Sequence, residues 1–189
     1  MQNEDAQLIE TTLAGDRTAF ETLVRKYQDR LFGALIYIIG NYDDARDVLQ
    51  DAFVQAYVKL DTFQGNSAFY TWIYRIARNL VATRRRSFKP TVPLDMLDNA
   101  AYLGPVDPED GPADQLQRRE NQQQLYDAMQ QIPEKFREVL VLRDIEGHDY
   151  VEIGDLLSIP VGTVRSRLHR ARAQLKDLMT EIFAEDPIA

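Results

Sequence analysis

Cysteine is absent from this chain, and histidine occurs only at His148 and His169 in 189 residues. The first absence excludes disulfides and thiolate zinc sites, and the second leaves too few imidazoles for a metal site without carboxylate help. No metal and no cofactor is expected. Long apolar runs are missing too: the longest, Leu31 to Ile39, is far short of the roughly 20 residues that a membrane-spanning helix needs. The polar start Gln2-Asn3-Glu4-Asp5 does not read as a signal peptide, so a soluble, cytoplasmic chain without membrane insertion is expected. There is no sustained period-two alternation between hairpin turns, no internal repeat and no low-complexity tract. A Ser, His or Cys constellation with a positioned base is also lacking, which argues against an enzyme.

What is present is polarised charge. The net charge is −8, yet Thr71 to Pro90 holds six cations (Arg75, Arg78, Arg84, Arg85, Arg86, Lys89) and no carboxylate. A second basic island follows later: Arg165, Arg167, Arg170, Arg172 and Lys176 succeed one another with no Asp or Glu between Asp155 and Asp177. Binding of an anion depends on where charges cluster rather than on their sum. Between the islands, Leu94 to Glu120 carries seven carboxylates against Arg118 and Arg119, and Pro90, Pro93, Gly104, Pro105, Pro108 and Gly111 break any regular element. That is the composition of a flexible acidic linker. Helical periodicity on both sides of it predicts an all-α chain of two small helical domains: residues 1–87, a linker at 88–112, and residues 113–189.

Helices are expected near Asp5 to Ala14, Thr18 to Ile39, Tyr42 to Leu60 and Ala68 to Arg86 in the first domain. The second domain is expected to hold Ala113 to Ile132, Pro133 to Arg143, Tyr150 to Leu157 and Gly162 to Ile182. In its C-terminal part the short helix, the turn Ser158-Ile159-Pro160-Val161-Gly162 and the basic helix read as a helix-turn-helix. Val164, Leu168, Ala171 and Leu175 recur at i, i+4, i+7 and i+11 and form the buried stripe. Thr163, Ser166, His169 and Arg170 then point outward, flanked by Arg165, Arg172 and Lys176 on one side and Arg167 on the other. Short hydrogen-bonding residues at the centre and cations at the rim suit a DNA major groove, with base edges inside and phosphates outside.

The first domain offers different chemistry. Phe63 to Asn79 places five aromatics around the polar loop Gln64-Gly65-Asn66-Ser67 and runs into an Arg-rich helix. Phe69, Trp72, Ile73 and Ile76 are expected in the core. Gln64, Asn66 and Ser67, with Tyr70, Arg75, Arg78 and Asn79, remain for DNA, where a polar rim beside cations could receive an unstacked base. Upstream, Asp44, Asp47 and Asp51 at i, i+3 and i+7 give an acidic stripe that cannot serve DNA and would suit a basic protein partner.

Four segments in order carry a family resemblance: Asp44 to Phe53, Phe69 to Asn79, Ile132 to Val139 and Gly162 to Arg172. Together they are similar to a bacterial sigma factor of the extracytoplasmic-function (ECF) group, over nearly the whole chain. The resemblance implies a first domain that binds the clamp helices of core RNA polymerase and the promoter −10 element. It implies a second domain that binds the −35 element and the polymerase flap, with an anti-sigma factor as a candidate further partner. Residue by residue, Asp44, Asp47, Gln50, Asp51 and Phe53 match the clamp-binding segment, and Gln64, Asn66 and Ser67 match the loop that captures a −10 base. Arg75, Arg78 and Asn79 match the helix lying along its upstream edge, and Arg84 and Arg85 of the same basic island are further DNA-binding candidates. Thr163, Arg165, Ser166, Arg167, His169 and Arg170 fall on the recognition helix. Tyr70, Thr83, Gly154 and Ser158 depart from the family pattern, where a basic residue, Asp, Ala and Gly respectively are usual. A dimeric helix-turn-helix regulator is the competing reading, and an all-helical adaptor with merely solvated basic faces is a second.

Overall fold

The computed structural model describes residues 2–84 and 111–185; Arg85, and all but the end of the segment 88–112, lie outside them. Among the described residues there are eight α-helices and no strand. The chain divides into two compact units, one of Met1–Leu35 and Tyr42–Pro90, the other of Ile36–Asn41 and Thr91–Ala189.

The first unit is built on α1 (Gln2–Leu13), α2 (Arg17–Ile39), α3 (Tyr42–Val58) and α4 (Phe69–Arg84). Asp16 starts α2 by accepting from the Thr18 backbone N–H at 2.9 Å and from its hydroxyl at 2.7 Å, which satisfies donors that a helix start leaves open. In α3, Ala45, Val48, Ala52 and Ala56 are fully buried at i, i+3, i+7 and i+11. Three alanines on that stripe let α4 approach closely, and α4 answers with Phe69, Ile73 and Ala77, each at most 1% exposed. Truncating Phe69 to Ala would remove a buried ring that packs against Tyr27, Phe63 and Trp72, at a cost of about 3–5 kcal/mol. Between the two helices Leu60–Thr62 forms a 3-10 turn whose Leu60 is buried, anchoring the loop that follows. Gly65 in that loop has φ +71°, a conformation that favours glycine.

The second unit contains α5 (Pro112–Gln131), α6 (Glu134–Leu140), α7 (Tyr150–Leu157) and α8 (Val161–Glu185). The expected helix from Pro133 to Arg143 is altered: α6 ends at Leu140 and widens into a π-turn over Val141–Ile145. Val139 to Leu142 are four consecutive buried residues, so apolar spacing could not distinguish the wider turn. α7 opens with a capping box, in which the Asp149 side chain accepts from Val151 and Glu152 and the Glu152 carboxylate accepts from the Asp149 N–H. It closes on Ser158 in the left-handed region, φ 55°. Two of the departures meet here, because the Ile159 N–H donates to the Gly154 carbonyl at 3.0 Å, and a Cβ on Gly154 would lie 3.0 Å from the Ile159 oxygen. Gly154 thus gives the turn room to fold back on α7.

Candidate nucleic-acid and protein interfaces

α8 carries the predicted recognition face. Val164, Leu168 and Ala171 are buried and Leu175 half-buried, which leaves Arg165, Ser166, His169 and Arg170 exposed and Thr163 and Arg167 half-buried. The Ser166 hydroxyl donates to the Thr163 carbonyl at 3.0 Å, so one of the central polar groups is oriented by the helix itself. Arg165 lies over the Tyr150 ring with its Cζ 5.7 Å from the centroid, and Arg143 lies over the same ring at 5.1 Å. An arginine resting on an aromatic face loses less freedom when its N–H edge meets a phosphate or base. Arg143 is fixed in turn by donating to the His148 carbonyl at 2.8 Å.

The rim assignment of Arg172 needs correction. Its guanidinium makes a two-point contact with Asp144, 3.0 Å from Nε and 2.5 Å from Nη2, and the hydrogen bond to that carboxylate raises its pKa above the usual arginine value. The basic island therefore does have a compensating carboxylate, delivered by the π-turn rather than by neighbouring sequence.

On α3 the acidic stripe is real but uneven. Asp47 and Gln50 are exposed and Asp44 is half-buried, while Asp51 is engaged in an ion pair with Arg84 of α4. Phe53 is 7% exposed, so it supports this face from the core and cannot be its contact surface. Val54 and Val58, 62% and 72% exposed, continue the Asp47 face at i+7 and i+11. Sequence reading passed over them, although two valines in register with an acidic stripe are the signal of a mixed docking face.

The loop Gln64 to Ser67 stands where expected. Gln64 and Asn66 are exposed, the Asn66 amide donates to Gln64 Oε1 at 3.1 Å, and Ser67 is half-buried. Behind the loop is a cavity of about 100 Å³ lined by Gly65, Ser67, Phe63, Phe69 and, from α1, Asp5 and Ile9. Phe63 packs against Phe69 and Trp72, with centroids 6.0 and 5.2 Å apart. Arg75 and Asn79 are exposed on α4, and Arg78 is half-buried. Tyr70 is not available for DNA, since it is 3% exposed and packs against Tyr27 and under Arg30.

Residues 23–89 match the family described as Sigma-70 region 2, and residues 122–175 match Sigma-70, region 4. The chain is 38% identical to the RNA polymerase sigma-H factor of Pseudomonas aeruginosa, covering 97% of this chain and 98% of that protein. It is also 38% identical to the ECF RNA polymerase sigma-E factor of Escherichia coli strain K12, over 90% and 92% of the two chains.

The chain belongs to the ECF sigma factors.

Among solved structures, CnrH in complex with the cytosolic domain of CnrY resembles it with a TM-score of 0.67 at 27% identity, covering 95% of this chain and 97% of that one. The Bartonella quintana sigma factor RpoE, in complex with the anti-sigma factor NepR, shares the fold with a TM-score of 0.64 at 21% identity, over 85% and 96%. As a sigma factor, the chain binds core RNA polymerase and recognises promoter DNA. The region 2 match takes in the acidic helix and the aromatic loop, which a dimeric helix-turn-helix regulator would leave without a role, and that reading is set aside. Among the described residues no helix is long and apolar enough to cross a membrane.

Proposed function

We propose that this sigma factor selects a promoter through two separate contacts and promotes opening by capturing an unpaired base at the loop Gln64 to Ser67. The observation that carries the opening step is the small cavity behind an exposed polar loop, at the start of the basic helix α4. At about 100 Å³ it is well below the roughly 300 Å³ of a small-molecule site, a size suited to one inserted ring. Capture offsets part of the unstacking cost of a few kcal/mol and favours the melted state.

Arg75, Arg78 and Asn79 hold the strand beside the loop, with Arg84 and Arg85 at the end of that basic segment. Thr163, Arg165, Ser166, Arg167, His169 and Arg170 read the −35 element. The polymerase clamp helices dock on Asp44, Asp47, Gln50 and Asp51, with Val54 and Val58 as the apolar part of the contact, and the second unit engages the flap. The domain limits are 1–87 and 113–189, joined by 88–112. The protein acts in the cytoplasm without catalysing a reaction itself. An anti-sigma factor is a further partner, in keeping with the Bartonella quintana neighbour, whose structure holds the anti-sigma factor NepR.

Run-off transcription with purified core polymerase tests the reading as a whole, since product should require this chain. For the opening step, Gln64, Asn66 and Ser67 are replaced by Gly or Ala and permanganate reactivity of promoter thymines is followed. Closed complexes should form nearly normally, the open fraction should fall, and a pre-melted template should restore much of the loss. Equal loss on both templates would remove base capture from the account.

A further inference from the structure

We infer that Arg143, Tyr150 and Arg165 together bind one phosphate of the promoter duplex at the edge of the −35 element, an assignment that rests on α8 being the recognition helix. The three come from separate elements: Arg143 from the π-turn, Tyr150 from the first turn of α7 and Arg165 from α8. Their guanidinium carbons lie 5.1 and 5.7 Å from the centroid of the one Tyr150 ring, so the fold gathers two cations at a single place. Two like charges held by one ring repel each other, and an anion received between them removes that cost. Donors remain for it. Arg143 gives one of its several N–H groups to the His148 carbonyl at 2.8 Å, and Arg165 is exposed with no hydrogen bond or ion pair among the described residues.

The surroundings select the anion. Arg172, on the same helix, is matched by Asp144, whereas neither Arg143 nor Arg165 is paired with a carboxylate among the described residues. Carboxylates close by in sequence are committed elsewhere. Asp144 is held by Arg172, and Asp149 accepts from the Val151 and Glu152 N–H groups. Glu152 accepts from the Asp149 N–H and stands 3.3 Å from Nδ1 of His148. Arg165 directly precedes Ser166 on the outer side of α8, while Arg143 and Tyr150 are half-buried on the elements before it. A site set off the recognition helix in this way belongs at the rim of a major-groove contact, where phosphates lie, and not at its centre, where base edges lie. A phosphodiester offers one unesterified oxygen to each guanidinium. The Tyr150 hydroxyl, which makes no hydrogen bond among the described residues, is a third donor.

The test uses holoenzyme assembled with core polymerase, bound as closed complexes to a promoter it transcribes. Single uncharged methylphosphonate linkages are scanned through both strands across the −35 element. Several linkages should weaken binding of the wild-type chain, and at one of them both Arg143→Gln and Arg165→Gln should have lost most of that sensitivity. The double replacement should make the dependence of log K on log salt shallower by about 0.9, the share of one duplex phosphate, and not by twice that. Arg143→Lys, which keeps the charge, should keep most of the wild-type slope. Tyr150→Leu leaves both charges in place and should still blunt sensitivity at that same linkage, a readout that stays available if Arg143→Gln loosens the turn. Different linkages for the two arginines, a double slope loss, or no linkage that depends on Arg143 or Tyr150 would overturn the shared site. If that happens while single-base −35 variants are still discriminated, α8 remains the reader and only the phosphate site falls. A shared linkage without any discrimination among those variants would keep the phosphate site and remove base reading by α8.

Discussion

Asp51 of α3 and Arg84 of α4 are paired with each other, although sequence reading assigned the first to the polymerase and the second to DNA. The side chains are 41% and 35% exposed, so the pair is accessible to competing partners. In the free protein each charge is already compensated, and a partner must compete for it. Asp47, fully on the surface, carries no such restraint from Arg84. We therefore expect Asp47→Arg to weaken core binding several-fold with thermal stability unchanged. A double-mutant cycle of Asp51→Asn and Arg84→Gln on the free chain should return a coupling of only about 0.2–1 kcal/mol, as for other half-exposed pairs. A coupling of zero, measured by denaturant titration, would show that the pair does not persist in solution.

Arg172 should separate from Arg165 and Arg170. Because Asp144 holds Arg172, its replacement by Ala should lower stability by at most about 1 kcal/mol, and leave sequence preference at the −35 element unaltered. Arg165→Ala or Arg170→Ala should instead act on DNA. A base contact relaxes preference at one position by roughly 1–3 kcal/mol, and a phosphate contact reduces the salt slope by about one. Binding of holoenzyme to a set of single-base −35 variants at several salt concentrations distinguishes these outcomes. A sequence-specific defect in Arg172→Ala would place that side chain back at the DNA.

Ser158→Gly should stabilise the second unit. Among the described residues Ser158 is the one non-glycine with positive φ, and left-handed geometry costs an L-residue roughly 1–2 kcal/mol. Glycine removes that strain but enlarges the entropy lost on folding, so the net gain should be about 1 kcal/mol or less. The result is read from the denaturant midpoint. A lower midpoint would mean that the serine hydroxyl contributes more to the turn than the strain removes.

Tyr27 gives a pH test. Burial, followed by its hydrogen bond to Asp5, pushes the phenol up to about 12 from the ordinary 10.0. A raised folded pKa means that the phenol's contribution is complete below about pH 10 and is lost as pH rises towards 12. The size is roughly 2–3 kcal/mol for a shift of this order. Tyr37 and Tyr126 are also pushed up by burial, so the informative quantity is a difference between proteins. Tyr27→Phe should be less stable than wild type at neutral pH, and its stability should fall less steeply between pH 10 and 12. Parallel curves for the two proteins would contradict the burial of this hydroxyl.

Much of the architecture was legible because period and punctuation are local. Val164, Leu168 and Ala171 fix the inner side of α8, and the turn residues 158–162 end α7 and start α8 where they were expected. The aromatic loop was legible for the same reason. What escaped were pairings between distant positions. Arg172 finds Asp144 across 28 residues and Arg84 finds Asp51 across 33, and a helical period gives the direction of a side chain without naming what it meets. Phe53 shows a different limit: the family resemblance carries it over with the clamp-binding segment as a whole, whereas its ring is buried. The π-turn was hidden by a buried apolar run.

The ring of Tyr150, lying under both Arg143 and Arg165, bears on how far this recognition helix could be moved between proteins. Tyr150 belongs to α7 and Arg143 to the π-turn before it, so the pose of a cation on α8 is set by residues outside α8. A chimera that received only Val161–Glu185 would inherit every outward-facing letter of this surface and lose the platform beneath one of them. Grafts that begin at Leu140 carry the arginine, the ring and the helix together. Portable specificity in this protein therefore has a natural unit larger than a single helix.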